Sequence, residues 1–334
     1  MKSPRTSLAL AVAGVLVACE APVTAPEPEV PLAPSLSIQS TAGFATAGGL
    51  TLLASGGDLQ SFVDNANAAL AARGAAVMIH HAEWIDGSGD TDAAKIVFAN
   101  NRTLRLTSRW VPGDPRRGAA GPDLTQGSFP FFQVANGTIA TEAIIDGTFD
   151  TWNGVGCSNL TVNKVAIPAA VFPSAILSLG GFANDAFAAD ISTIGWLPGP
   201  IFDAILGSGA SANVLGVTFT FVWLAAPGVP SDIDNDHNND TALKEVWYND
   251  AFTWTDAGGG PFDPDVDIET VALHENGHTL ELGHFGKLTA RFAKKGLRIQ
   301  ASPRAVMNAT YIGSLRSPLR TDRAALCGFY GSWN

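Results

Sequence analysis

Three histidines fall within eleven residues of one another in residues 265–285, which read DVDIETVALHENGHTLELGHF. Asp265 or Asp267 can cap a helix that begins at this point. His274 and His278 are four residues apart, so a helix places both imidazoles on a single face. That spacing suits two nitrogen ligands of one tetrahedral zinc ion. The segment therefore predicts a metal-binding helix.

Glu275 directly follows the first of these histidines. On a helix it is rotated off the ligand face but remains beside the metal, where its carboxylate can accept a proton from water. We predict that Glu275 is the general base and returns the proton to a leaving amine. The alternative is a helix whose two histidines are structural, because a bare HExxH pattern also arises by chance.

Residues 270–284, TVALHENGHTLELGH, resemble the metzincin signature HExxHxxGxxH and are especially similar to matrixin-like zinc metalloproteases. The resemblance implies that His274, His278 and His284 hold Zn2+. Residues 305–311, AVMNATY, resemble the Met-turn of the same family. By that resemblance Met307 underlies the zinc, and Tyr311 lines the pocket for the residue after the scissile bond.

The resemblance also implies a fold. We expect an α+β protein whose catalytic domain, residues 126–334, has a twisted, mostly parallel sheet, the HExxH helix, the Met-turn and a C-terminal helix at 319–331. Residues 215–223 would be the edge strand that pairs with an extended substrate. A small α/β module at 41–125 would precede this domain.

The chain departs from the family pattern at Glu281, where the family has the Gly that turns the third histidine back to the metal. Gly283 would supply the turn instead. If the helix continues, Glu281 comes onto the ligand face seven residues after His274 and is the alternative third ligand.

Two further departures concern latency and an insertion. Residues 115–118 resemble the matrixin propeptide motif, but Arg117 replaces the cysteine that would block the zinc. Residues 286–303 are an insertion between the last histidine and the Met-turn, which we interpret as a solvated loop or short helix in preference to a substrate-binding lid.

The N-terminus predicts export. Lys2 and Arg5 precede a short apolar run, so residues 1–18 are typical of a signal peptide. Residues 16–19 resemble a lipobox, which implies lipidation of Cys19; the alternative is an ordinary signal peptide with a chance cysteine. Residues 19–40 are a Pro-rich tether. We expect a protein of the cell envelope or the extracellular space, with no membrane contact beyond this lipid anchor.

An exported chain meets oxidising conditions, so Cys157 and Cys327 could form a disulfide; two buried free thiols are the alternative. The formal net charge of -11 argues against nucleic acid as a partner. Oxygen ligands at alternate positions predict a Ca2+ site against the alternative of a polar turn. These ligands are Asp232, Asp234, Asp236, Asn238 and Asp240.

Taken together, the residues and the resemblance predict a zinc endopeptidase that binds protein or peptide substrates in extended conformation. The main alternative is a catalytically weak, zinc-stabilised surface or binding protein of the same fold. A metallohydrolase for non-peptide substrates is a third class, and it would not need an edge strand. The sequence leaves open the oligomeric state and whether residues 41–125 are a removable propeptide.

Overall fold

A computed structural model of the protein describes residues 58–88, 97–98, 108–117, 121–128, 139–167, 174–179, 189–260, 263–293 and 296–333. The predicted signal peptide, the tether and the lipidated Cys19 lie outside these residues. So does the first part of the predicted N-terminal module.

The described residues form seven helices that surround a large sheet. The helices are α1 (Leu59–Ala72), α2 (Thr141–Asn153), α3 (Ala175–Leu179), α4 (Gly199–Leu206), α5 (Ala210–Asn213), α6 (Ile268–Thr279) and α7 (Arg320–Tyr330). None of these helices has both the length and the apolar character needed to span a bilayer.

Thirteen strands are described. They are β1 (Val77–Asp86), β2 (Val97–Phe98), β3 (Ser108–Arg109), β4 (Leu124–Ser128), β5 (Val162–Lys164), β6 (Ile191–Leu197), β7 (Val214–Ala226), β8 (Val229–Pro230), β9 (Asn239–Asn249), β10 (Thr253–Thr255), β11 (Asp265–Asp267), β12 (Lys287–Ala293) and β13 (Gly296–Ser302).

The main sheet has the order β2-β1-β7-β9-β6-β4-β5, with β3 added to β9 and β8 added to β7. The strands β5, β4, β6 and β9 run parallel, whereas β7 is antiparallel to both of its neighbours, β1 and β9. The fold is therefore a mixed sheet with helices, which is compatible with the predicted α+β class.

The position of helix α1 follows from the spacing of its apolar residues and from its capping residues. Its apolar residues recur at helical spacing, and Leu59, Phe62 and Leu70 are all buried. Asp58 caps the start by accepting a hydrogen bond from the Ser61 N–H at 2.8 Å. Gly74 follows the end with a φ of 69°, the left-handed conformation that glycine adopts without strain. The apolar spacing and the cap at Asp58 thus account for where α1 lies and where it begins.

Side chains on β7 alternate between two environments, as the pleat of a strand requires. Val217, Phe219 and Phe221 belong to an apolar cluster that includes α1, α3 and α4. Between them, Thr218 and Thr220 face polar side chains, including Glu275 and Lys244. The sheet therefore separates the apolar cluster on one face from the polar side chains around α6 on the other.

Two sequence predictions are wrong. Residues 215–223 do not form an edge strand, because β1 pairs with β7 from Val77 opposite Trp223 to Asp86 opposite Val214. The insertion at 286–303 is neither a loop nor a helix but a hairpin of β12 and β13, with Lys287 opposite Ser302. The first prediction failed because β1 comes from a distant part of the chain whose pairing leaves no local signal.

Candidate metal centre

Helix α6 is fixed at its start by Asp267, whose carboxylate accepts a hydrogen bond from the Thr270 N–H at 3.2 Å. Its end is a Schellman motif. The N–H of Leu282 donates to the Gly277 carbonyl and the N–H of Glu281 to the His278 carbonyl, both at 3.0 Å. Glu281 has a φ of 61°, so Glu281 itself, and not Gly283, makes the left-handed turn.

This turn brings His284 back to the other two histidines. The three Nε2 atoms are mutually close: His274 and His278 are 2.9 Å apart, His278 and His284 3.1 Å, and His274 and His284 3.2 Å. His274 and His278 are fully buried. The three side chains form a group that could hold a metal ion.

The Nδ1 atoms, on the other side of each imidazole ring, have different surroundings in the three histidines. Nδ1 of His274 lies 2.7 Å from the Val306 carbonyl, and Nδ1 of His278 lies 2.7 Å from the Leu282 carbonyl. Both contacts place the proton on Nδ1 and leave the Nε2 lone pair free for a ligand. Nδ1 of His284 is buried and has no hydrogen-bond partner among the described residues.

Burial is the main cause that lowers the pKa of His274 far below its usual range, followed by the neighbouring His278 and His284. Burial and His278 also lower the pKa of His284 to about 3. Burial opposes protonation of His278 as well, but the nearby carboxylates of Glu83 and Glu275 outweigh it and raise its pKa. Neutral imidazoles are the form that binds a metal.

Met307 and Tyr311 both lie against α6. Met307 is fully buried and packs so closely on Gly277 that a Cβ at position 277 would overlap its Sδ atom. Tyr311 is buried in an apolar cluster that includes Ile268, and its hydroxyl accepts a hydrogen bond from the Asp267 N–H at 3.1 Å.

Glu275 is fully buried beside the histidines and both of its oxygens are engaged. Oε1 accepts a hydrogen bond from the Ile85 N–H at 3.1 Å, and Oε2 accepts one from the Thr218 hydroxyl at 2.7 Å. Burial raises the pKa of Glu275 to about 7, against the opposing effect of His278. A carboxyl group with a pKa near neutrality can both take and return a proton.

Strand β7 can approach the Glu275 carboxylate closely because residue 216 is glycine. A Cβ at position 216 would lie 2.9 Å from Cγ of Glu275, so only glycine leaves room for the carboxylate.

Glu83 on β1 is a member of the site that the sequence did not reveal. Its Oε2 atom lies 3.2 Å from Nδ1 of His278 and 3.6 Å from Nε2 of His81. The residue is 1% exposed, and its other oxygen has no partner among the described residues. Burial would raise the pKa of Glu83, but His278 and His81 hold it well below its usual range. No pattern around Glu83 could have indicated a contact with a residue 195 positions away.

The structure does not bring Glu281, the alternative third ligand, into the histidine cluster. Its carboxylate is buried elsewhere and accepts hydrogen bonds from Lys244 Nζ at 2.9 Å, Ser108 Oγ at 3.1 Å and Thr241 Oγ1 at 2.5 Å.

The acidic loop before β9 brings together three of its five predicted ligands. Carboxylates of Asp232, Asp234 and Asp240 lie within 4.8 Å of one another. Asp236 instead accepts a hydrogen bond from the amide of Asn238 at 2.9 Å. Arg116 Nη2 also donates to Asp240 at 2.8 Å. The calcium site stays a prediction.

Two other predicted features lie away from the histidines. Arg117, at the propeptide-like motif, is buried and donates to the Gly121 carbonyl at 2.6 Å. Cys157 and Cys327 form a disulfide with their Cα atoms 5.4 Å apart.

Comparison with known protein families finds no family model that matches the chain. Comparison with curated proteins also finds no match. The fold and the site define a mixed α/β protein with a buried three-histidine centre that could bind a metal ion.

Proposed function

We propose that this chain is a zinc-dependent peptidase of the metzincin type. The observation that carries the proposal is the convergence of three Nε2 atoms within 3.2 Å of one another. Glu275 follows His274 on the same helix, and its buried carboxyl group feels the charge of His278. Three protein ligands with an open fourth position are typical of catalytic zinc sites, whereas structural sites use four.

The donor set fits zinc. Zn–N bonds of 2.0–2.1 Å in tetrahedral geometry separate two ligand nitrogens by about 3.3 Å. The separations here are 2.9–3.2 Å. Oxygen-preferring ions such as Ca2+ and Mg2+ do not select three imidazoles.

Zinc, when bound, would supply a Lewis acid that makes water more acidic and polarises a carbonyl group. Glu275 would take the proton from that water and pass it to the leaving nitrogen. In the structure a peptide N–H, that of Ile85, already donates to Glu275 Oε1 at 3.1 Å. This contact shows that the carboxylate can reach a peptide nitrogen next to β7.

The metzincin assignment rests on the resemblance in sequence and gains support from the order of the elements. All nine strands of the main sheet, β1 to β9, precede the histidine helix. A buried methionine, Met307, follows it and packs on Gly277 of the same helix, and α7 is the last described element.

A zinc-stabilised protein that does not hydrolyse peptides is the second candidate, and β1 favours it. Because β1 pairs along β7, an extended substrate cannot add to that strand by backbone pairing. The end of β1 is also held from the other side, where Asp86 pairs with the backbone of Ala309 and Tyr311. A peptidase of this fold must admit substrate by another route or by displacement of these residues.

Incubation of the purified chain with an unstructured protein such as casein, with and without a metal chelator, separates the two candidates. The proposal expects cleavage that stops with chelator and returns with zinc. Glu275→Gln should lower the cleavage rate by at least about 10²-fold while zinc stays bound at one equivalent.

Glu269→Gln is a matched control on the same helix, since Glu269 is partly exposed and contacts Arg316 and not the histidines. This variant should keep its activity. Zinc binding without metal-dependent cleavage would favour the second candidate, and failure to bind zinc would contradict both.

A further inference from the structure

Glu83 on β1 has a carboxylate that contacts a residue of the metal centre. Its Oε2 atom lies 3.2 Å from Nδ1 of His278, and the side chain is 1% exposed. It reaches this position because β1 pairs with β7, where Glu83 stands opposite Thr218. Thr218 in turn donates to Glu275 at 2.7 Å.

Glu83 is not needed to orient the imidazole ring. The proton on Nδ1 of His278 already has a well-placed acceptor in the Leu282 carbonyl, at 2.7 Å. The contribution of Glu83 is therefore its negative charge beside the ring, and not its capacity to accept a hydrogen bond.

That charge is costly to bury without a compensating partner. Oε1 of Glu83 has no hydrogen-bond partner among the described residues. The buried ammonium group of Lys244 is paired with another carboxylate, that of Glu281, at 2.9 Å. A divalent cation held by three neutral imidazoles would supply the missing positive charge.

The charges then balance. Zinc brings two positive charges into a buried site whose three ligands bring none, and Glu83 and Glu275 bring one negative charge each. Since buried charges are weakly screened, both carboxylates should strengthen the binding of the ion.

We propose that Glu83 supports the metal centre through its contact with His278 and strengthens zinc binding by its charge. This inference rests on the proposed zinc centre but not on peptide hydrolysis. It makes β1 a part of the metal site itself.

The test is the zinc affinity of Glu83→Gln in the full chain, measured by competition with a chromogenic chelator. Gln keeps the shape and one acceptor oxygen but removes the charge. We expect zinc binding to weaken about 10- to 100-fold, the usual effect of removing a carboxylate that contacts a metal-binding histidine. In the Co2+-substituted chain the visible absorption of the variant should shift, because His278 becomes a weaker donor.

Glu245→Gln is the matched control. Glu245 is also a buried carboxylate of the sheet, but it accepts hydrogen bonds from the N–H groups of Ala175 and Ile176 and not from the histidine cluster. The zinc affinity of the Glu245→Gln chain should equal that of the native chain.

A folded Glu83→Gln chain with zinc affinity within twofold of the native value would overturn the inference. If Glu83→Gln does not fold, Glu83→Asp replaces it in the test, because Asp keeps the negative charge in the same pocket and should keep most of the zinc affinity. A folded Glu83→Asp chain that loses zinc as strongly as Glu83→Ala would also overturn the inference. A native chain that binds no zinc would instead remove the proposed function.

Discussion

The ammonium group of Lys244 lies 2.9 Å from the carboxylate of Glu281, and both side chains are buried. Glu281 is also the left-handed residue that ends α6. A left-handed conformation costs a residue with a Cβ about 1–2 kcal/mol. Hydrogen bonds from Lys244, Ser108 and Thr241 offset this cost and hold the turn that brings His284 to the metal centre.

Lys244→Met should therefore lower the free energy of unfolding by about 3–5 kcal/mol, because it leaves the Glu281 carboxylate buried without a counter-charge. Urea denaturation followed by circular dichroism measures the change. The double variant Lys244→Met, Glu281→Gln should recover much of the loss, since it removes both charges together. A single variant as stable as the native chain would show that the pair is not important for the turn.

Gly277→Ala tests the contact between α6 and the Met-turn. The new methyl group would overlap Sδ of Met307, so the turn must shift. We expect a loss of about 1–3 kcal/mol in unfolding free energy. Zinc affinity should fall too, because the shifted turn carries the Val306 carbonyl that fixes His274.

Gly147→Ala is the control for this substitution. Gly147 lies within α2, and a Cβ there would meet no atom within 4 Å. Because alanine is the better helix former, this variant should be more stable by roughly 0.5–1 kcal/mol. If both variants are destabilised equally, the contact with Met307 is not the cause.

Much of this centre follows from local sequence. The spacing of His274 and His278 and the cap at Asp267 predict the helix, because helix geometry and capping depend only on near neighbours. The structure brings His284 to the same point, as the family resemblance implied. Local rules suffice wherever the interacting residues are close in the chain.

The parts that could not be predicted depend on distant residues. Glu83 reaches His278, and Ile85 reaches Glu275, only because β1 pairs with β7. Strand pairing over such separations has no local signature. The sequence also does not show that Lys244 lies beside Glu281. This ion pair allows a residue other than glycine to end α6.

Glu245 should make stability depend on pH. Burial raises the pKa of its carboxyl group from 4.5 to about 8, because the charged form is poorly solvated there. A group whose pKa is raised by folding contributes stability that is fully present below its unfolded pKa and lost as the pH rises to the folded value. Stability should fall between about pH 4.5 and 8, by a few kcal/mol at about 1.4 kcal/mol per unit.

Urea midpoints measured at intervals from pH 4.5 to 8.5 check this expectation. In Glu245→Gln, which cannot ionise, the fall contributed by this residue should be absent. The difference in unfolding free energy between variant and native chain should therefore grow with pH in favour of the variant. A constant difference across the range would contradict the assignment.

Removal of the chain before Gly121 should prevent folding, so we predict that the described part of the N-terminal module, expected at residues 41–125, is not a removable propeptide. Helix α1 and strand β1 supply eight of the 26 buried residues in the apolar cluster that includes Phe219, Phe221 and Trp247. Burial of one aliphatic or aromatic side chain contributes about 1.5–3 kcal/mol, so loss of this set costs on the order of 10 kcal/mol, comparable with the whole net stability of a domain.

The truncated chain should therefore aggregate, which size-exclusion chromatography detects, while the full chain should remain soluble and bind zinc. A soluble, cooperatively melting protein from Gly121 onward would show that β1 is a removable cover over β7. If that protein also bound zinc with native affinity, the zinc centre would not need Glu83. Because β1 lies between β7 and the backbone at Ala309 and Tyr311, its removal would then open the one stretch of β7 that an extended peptide could use.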